Sequence, residues 1–256
     1  MGTALRQDHS ADNRWGTGQV IYRGMKMADD INSLEILDAV EEGDMVHLTA
    51  LIVAGVNVNA CDDTGWTALM MSAQAGRADM VRVLIAGGAD VNAADELGVT
   101  VLMAASSGGF GDIVQTLIAE KADIHARDHR GTTALMWAST EGRSEVVRTL
   151  LDAGADVNAR GESGYTALMD ASGKGHADVV RMLVEAFADV DAYDKNHLTA
   201  LMLATMMGHA DVVRVLIDAG ADVDMRGDGG YTALMEASSS GRADIVDLLR
   251  EAGASG

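Results

Sequence analysis

The sequence predicts an all-α solenoid in which short helix pairs stack in a row, and three observations carry that reading. The segment TALM, or a close variant, recurs at Thr67, Thr100, Thr133, Thr166, Thr199 and Thr232, each 33 residues after the last. A glycine ladder (Gly43, Gly76, Gly109, Gly142, Gly175, Gly208, Gly241) and a leucine ladder (Leu51, Leu84, Leu117, Leu150, Leu183, Leu216, Leu249) run in phase with it. Within each copy the apolar residues fall at helical spacing, and strand-like alternation never lasts more than a few residues. A period of this length marks a repeat architecture.

Each copy is built in the same order. The threonine hydroxyl caps the first amides of a helix that Ala, Leu and Met carry forward. A glycine such as Gly76 stops that helix. The following segment, DMVRVLIAGGADVN in one copy and SEVVRTLLDAGADVN in another, predicts a second helix ended by Gly88 or Gly154 in the left-handed conformation. Asp and Gly then supply the turn chemistry of a hairpin-like finger, as in NACDDTGW and HARDHRGT. Three positions break the glycine pattern: Lys121 and Phe187 end second helices, and His197 stands at a finger glycine.

So short a helix pair cannot bury its own apolar faces, so neighbouring copies have to share one core. Leu69, Leu102, Leu135, Leu168, Leu201 and Leu234 are expected to form one buried row. Val81, Val114, Val147, Val180, Val213 and Val246 form another, each residue contributing about 1.5–3 kcal/mol when fully buried.

On the 33-residue period, the GADVNA segments at 88–93 and 154–159, and D-x-x-G-x-T ahead of the first helix, residues 32–256 resemble the ankyrin-repeat family. The chain departs from that family's T-P-L-H-x-A signature by writing Ala or Val for Pro and Met for His. Alanine is also a good early helical residue. The methionine row Met70, Met103, Met136, Met169, Met202 and Met235 is expected to replace polar ties between loops with apolar contact. The resemblance implies an ankyrin-repeat solenoid with a concave face formed by fingers and first helices.

The expected organisation is a tail over 1–31, an N-terminal cap over 32–60, inner copies at 61–93, 94–126, 127–159, 160–192 and 193–225, and a C-terminal cap over 226–256. Asn32 and Glu35 have the spacing of a capping box that opens the first copy. At the far end Arg250 stands in a register that inner copies fill with Ile, Leu or Val, which suits a face that no further copy covers. In the leading segment Trp15, Val20, Ile21 and Tyr22 are candidates to dock on the first copy or on a partner.

Composition narrows the function. The 48% hydrophobic content excludes wholesale disorder, and a net charge of −20 argues against nucleic acid and anionic membranes as partners. No run reaches the roughly 18 apolar residues of a membrane span, and no secretory signal is evident at the start; a cytoplasmic location is expected. The lone Cys61 forms no internal disulfide and builds no cysteine zinc site. His125 and His129, with Asp123 and Asp128, fall in a finger where positions four apart need not share a face, so no metal is expected. His176 and His209 follow the inter-helix glycine and read as structural. Pairs such as Asp79 and Arg82 read as links along one helix. No nucleophile, base and orienting group come together in the pattern, so neither an enzyme nor a cofactor is predicted.

Function is expected where copies differ from one another. The register before the threonine holds Trp66, Tyr165, Leu198 and Tyr231; four residues beyond it stand Met71, Trp137, Asp170, Leu203 and Glu236. Tyr193, Met206 and Met207 extend an apolar stretch in the sixth copy. The resemblance places this strip on the concave face, edged by Arg127, Arg130, Arg160 and Arg226. Large aromatic side chains on such a surface suit a protein partner. The expected function is therefore a non-catalytic protein-protein interaction module, monomeric when free. A structural subunit of a stable assembly and a host-directed microbial effector are the alternatives.

Overall fold

A computed structural model of the chain describes the backbone of residues 28–255 and the side chains of 34–255. Seven helix pairs follow one another: α1 (Ala28–Glu42) with α2 (Met45–Val53), α3 (Ala68–Gln74) with α4 (Ala78–Ala86), and α5 (Val101–Gly108) with α6 (Gly111–Ala119). They continue as α7 (Ala134–Thr140) with α8 (Ser144–Asp152), α9 (Ala167–Lys174) with α10 (Ala177–Glu185), α11 (Ala200–Met207) with α12 (Ala210–Asp218), and α13 (Ala233–Ser239) with α14 (Ala243–Glu251). Among the described residues the only β pairing is three isolated bridges at finger bases, Cys61 with Thr67, Ala94 with Thr100 and Tyr193 with Thr199. The fold is an all-α solenoid.

Local chemistry sets each pair. All six TALM-type threonines cap their helices, each hydroxyl accepting from the amide three residues on, as Thr67 does from Met70 at 3.2 Å. Gly76 then turns the chain at φ +70. Its lack of a side chain is needed twice over, because a Cβ there would lie 2.3 Å from the ring of Phe110 in the next copy. Gly142 and Gly175 are approached in the same way by His176 and His209, at 2.6 Å in each case. The residue after each inter-helix glycine thus reaches back one copy. Arg77 and Arg143 donate to the carbonyls of Glu41 and Ser107, and His176 Nε2 lies 3.0 Å from the Thr140 carbonyl oxygen.

First helices pack on first helices and second helices on second helices. The first-helix layer is the more closely packed of the two, and with the fingers it forms the inner face of the array. The expected leucine row is buried throughout, and the valine row is buried except at the terminal Val246. Met70, Met103, Met136, Met169 and Met202 are buried, whereas Met235 in the last described copy is 43% exposed. Arg250 is exposed.

The start of the array differs from the expectation. Helix α1 begins at Ala28, so Asn32 lies inside it and does not cap it. The docking expected around Trp15 lies outside the described residues.

Among the described residues the non-glycine residues with positive φ are Lys121, Phe187 and His197, the three that break the glycine registers. Their left-handed backbone costs about 1 kcal/mol or more relative to glycine. Phe187 is 88% exposed and recovers little of that through packing. Phe187→Gly and Lys121→Gly should each raise stability by about 0.5–1 kcal/mol in urea denaturation. Gly142→Ala should lower it by more than about 1 kcal/mol, since it combines strain with contact on the His176 ring. A Phe187→Gly protein less stable than the parent would show that this side chain contributes contacts that outweigh its strain.

Candidate functional site

The fingers are organised by their aspartates. Asp95 Oδ1 accepts from the amides of Leu97 and Val99 at 2.8 Å, and Asp194 Oδ1 accepts from those of Asn196 and Leu198 at the same distance. Both carboxylates are buried, held by these closed turns. Each finger also bonds to the next through its backbone: the amides of Glu96, His129, Glu162 and Lys195 donate to the carbonyls of Thr64, Leu97, Arg130 and Ser163, 2.8–3.1 Å apart. Every finger therefore delivers the residue before its threonine to the same place, beside the first turn of the first helix. There it meets the residue four positions past the threonine. Tyr231 shows the contact directly, its hydroxyl donating to Glu236 Oε2 at 2.5 Å while Ser240 Oγ donates to Oε1 at 2.6 Å.

The candidate residues divide on this face. Trp66, a partner-binding candidate by its register, is 8% exposed, and its indole N–H donates to Asp95 Oδ2 of the next finger at 3.1 Å. Leu203 is buried as well, since the aliphatic side chain fits between neighbouring first helices. Met71, Trp137, Tyr165, Asp170, Leu198, Tyr231 and Glu236 are half-buried. Trp137 keeps its indole nitrogen buried without a hydrogen-bond partner. Met206 and Met207 are open, at 38% and 60%. Tyr193 stacks on His197 with centroids 5.1 Å apart and lies under the Arg160 guanidinium, while His197 Nδ1 is 2.9 Å from Asp228 Oδ1. That chain of contacts ties three successive fingers together.

The finger arginines are occupied in the same way. Arg127 donates to the Arg160 carbonyl at 2.7 Å, and Arg160 donates to that of Tyr193. On the outer helices Asp79 pairs with Arg82 and Asp178 with Arg181, exposed pairs that contribute little. Among the described residues no three His, Cys, Asp or Glu side chains converge as metal ligands would, and His125 and His129 do not form such a group.

Sequence reasoning missed one ladder. Asn59, Asn92 and Asn158 accept from the amides of Asp90, Asp123 and Asp189 in the following copy at 2.8 Å; Asp191 does the same for Asp222. The recurrent Asn of GADVNA was its available signal, and His125 stands in that register.

Electrostatics single out Asp170. Burial pushes its carboxyl up to about 7, opposed by Lys174 one turn on in the same helix. Helices α7 and α11, which flank α9, carry no ionisable side chain at all. Burial, then the charges of Asp194 and Asp170, push the Tyr165 phenol up to about 12. Burial and the hydrogen bond to Glu236 likewise raise Tyr231.

A family model described as ankyrin repeats (3 copies) matches residues 36–128, 104–194 and 187–255. The 2-5A-dependent ribonuclease of Mus musculus is 45% identical over 56 residues, covering 22% of this chain and 7% of that enzyme. The chain thus spans a small fraction of the curated relative it matches.

The sign of the Asp170 shift sets a pH prediction. Because the folded-state pKa is raised, the folded protein holds a proton that the unfolded chain releases near pH 4. Stability from this group is therefore fully present below about pH 4 and is lost as pH rises through about 7. Asp170→Asn should match the parent in urea denaturation at pH 4 and exceed it by about 1–2 kcal/mol at pH 8, after discounting for partial exposure. A gap that does not widen with pH would count against the burial of that charge.

Proposed function

The chain belongs to the ankyrin-repeat family, and from that premise we propose that it is a non-catalytic protein-binding module holding another protein against the inner, concave side of its array. Repeats of this family generally serve as protein-protein interaction modules. The observation that carries the reading to this chain is where its copies differ. Buried registers keep to small or apolar residues from copy to copy, as the all-leucine row from Leu69 to Leu234 does, whereas the inner-face position four past the threonine runs Met71, Ala104, Trp137, Asp170, Leu203, Glu236 and mixes apolar, aromatic and acidic side chains. Registers that only hold the stack together have no use for such variety.

Several properties support a protein as the ligand. The exposed Met206 and Met207 are polarizable side chains that adapt to a partner, and the half-buried Trp137, Tyr165 and Tyr231 bind through area at modest entropy cost. The fingers that present Tyr165 and Tyr231 are cross-linked by backbone bonds, which limits the ordering cost of association. A charge of −20 disfavours nucleic acid and anionic lipid. No helix among the described residues is long and apolar enough to cross a membrane. The match to the mouse ribonuclease covers 7% of that enzyme, too little to bring its activity here. On this reading the protein is monomeric when free and works in the cytoplasm without a cofactor.

Site-specific photo-crosslinking tests the choice of face. A photoreactive residue at Met207 or Ser163 should give a discrete crosslinked protein from the native cell, and one at Arg181 or Arg214 on the outer helices should not. Crosslinks from the outer positions alone would put the partner on the other side. With the partner in hand, Met207→Ala together with Met206→Ala should weaken binding at least about tenfold with the melting temperature nearly unchanged.

A further inference from the structure

First helices α3, α5, α7, α9, α11 and α13 carry two carboxylates, and only one of them is hydrogen-bonded among the described residues. Asp170 and Glu236 occupy the same register two copies apart, yet their surroundings differ. Both oxygens of Glu236 accept hydrogen bonds, from Tyr231 and Ser240. Asp170 forms no side-chain hydrogen bond or ion pair among the described residues; its influences are the Lys174 charge and the neighbouring Tyr165. A half-buried carboxylate with open acceptor positions is costly to keep unless something donates to it.

What surrounds it defines the donor. The flanking positions of its register are Trp137 and Leu203, and Tyr165 stands at the base of its own finger. An aromatic and apolar surround with a single anion suits a flat cation that stacks while it donates, which is the chemistry of a guanidinium. A net charge of −20 draws basic segments toward the array over longer range. Resting on the reading of the inner face as the binding surface, we propose that the fourth to sixth copies receive an arginine of the partner protein, paired with the Asp170 carboxylate and stacked beside Trp137.

The charged groups around Asp170 are few. Lys174 is on its own helix, Glu141 follows α7, His176 follows the inter-helix glycine, and Asp194 sits at the next finger. Helices α7 and α11 add none, and Asp178, Arg181 and Glu185 of α10 are exposed. An incoming cation would hold the Asp170 proton off, so binding tightens as the carboxylate ionises.

The test selects peptides from a randomised displayed library on the full chain at physiological salt, then measures synthetic versions of the best binders. Selected peptides are expected to share an arginine, and its replacement by glutamine should cost at least about tenfold in Kd. Asp170→Asn should cost about as much, while Asp211→Asn on the outer layer, which removes the same charge, should change Kd less than about twofold. Affinity for the parent should strengthen from pH 6 to pH 8, and that for Asp170→Asn should stay flat. Binding that survives Asp170→Asn but fails with Met206→Ala and Met207→Ala would overturn the arginine site and leave the inner-face reading standing. Binding indifferent to both, or a selection yielding no binder, would overturn both. Self-association of the full chain that Asp170→Asn abolishes would place a second copy there and overturn the partner arginine.

Discussion

No helix pair in this chain closes a core by itself, and everything else in the structure follows from that. Each first helix has seven or eight residues in the inner copies, too few to be stable in water alone. Its Ala, Leu and Met side chains are buried only because another first helix lies on each side. The core is therefore a line rather than a centre, and its stability accrues copy by copy through contacts between neighbours. Met235 and Arg250, in the last described copy, are exposed where the equivalent residues of inner copies are covered by a neighbour.

Polar links run alongside that apolar line and keep its registers in step. The finger backbone ladder, the Asn-to-amide ladder and the reach of Arg77, Arg143 and His176 to preceding carbonyls all join a copy to its immediate neighbour. The inter-helix glycines belong to this system as well, since the side chain of the next copy occupies the space that a Cβ would need. A change at one glycine thus acts on two copies. Such redundancy makes the inner face a fixed platform on which side chains at three registers vary with little consequence for the stack.

Period and phase made most of the fold legible in the sequence. Thr67 and its equivalents as caps, the buried Leu69 and Val81 rows, and the strained Lys121, Phe187 and His197 all follow from position within the repeat. The site was less legible because register specifies a face but not how deep a side chain sits. Trp66 and Trp137 are both candidates by pattern, yet Trp66 is nearly buried and bonded to Asp95 of the next finger, which its register does not reveal. Serines mislead in the opposite direction. Ser106, Ser139 and Ser172 look polar enough for a surface, but they are fully buried without hydrogen-bond partners, where close helix packing demands a small residue. Asn32 failed as a cap because a local motif competes with whatever precedes it, and the helix extends back to Ala28.

The contrast between Asp170 and Glu236 shows how a repeat can carry function without giving up its fold. Both copies write Gly-Tyr-Thr-Ala-Leu-Met followed by an acid, so the same backbone offers both carboxylates to the same face. In the last copy the longer Glu236 side chain is bonded by Tyr231 and Ser240, and its acceptors are satisfied within the copy. In the fifth copy the position of Ser240 is taken by Lys174, and the flanking copies supply Trp137 and Leu203 instead of donors. The stack gains nothing from that arrangement, for an apolar residue at 170 would match both its neighbours in the register. A residue that costs stability where a neutral one would fit is explained by what it does for a ligand, and proteins tolerate such costs chiefly at functional sites. Because the surrounding core is a sum of many neighbour contacts, one unfavourable carboxylate can be carried there without loosening the array.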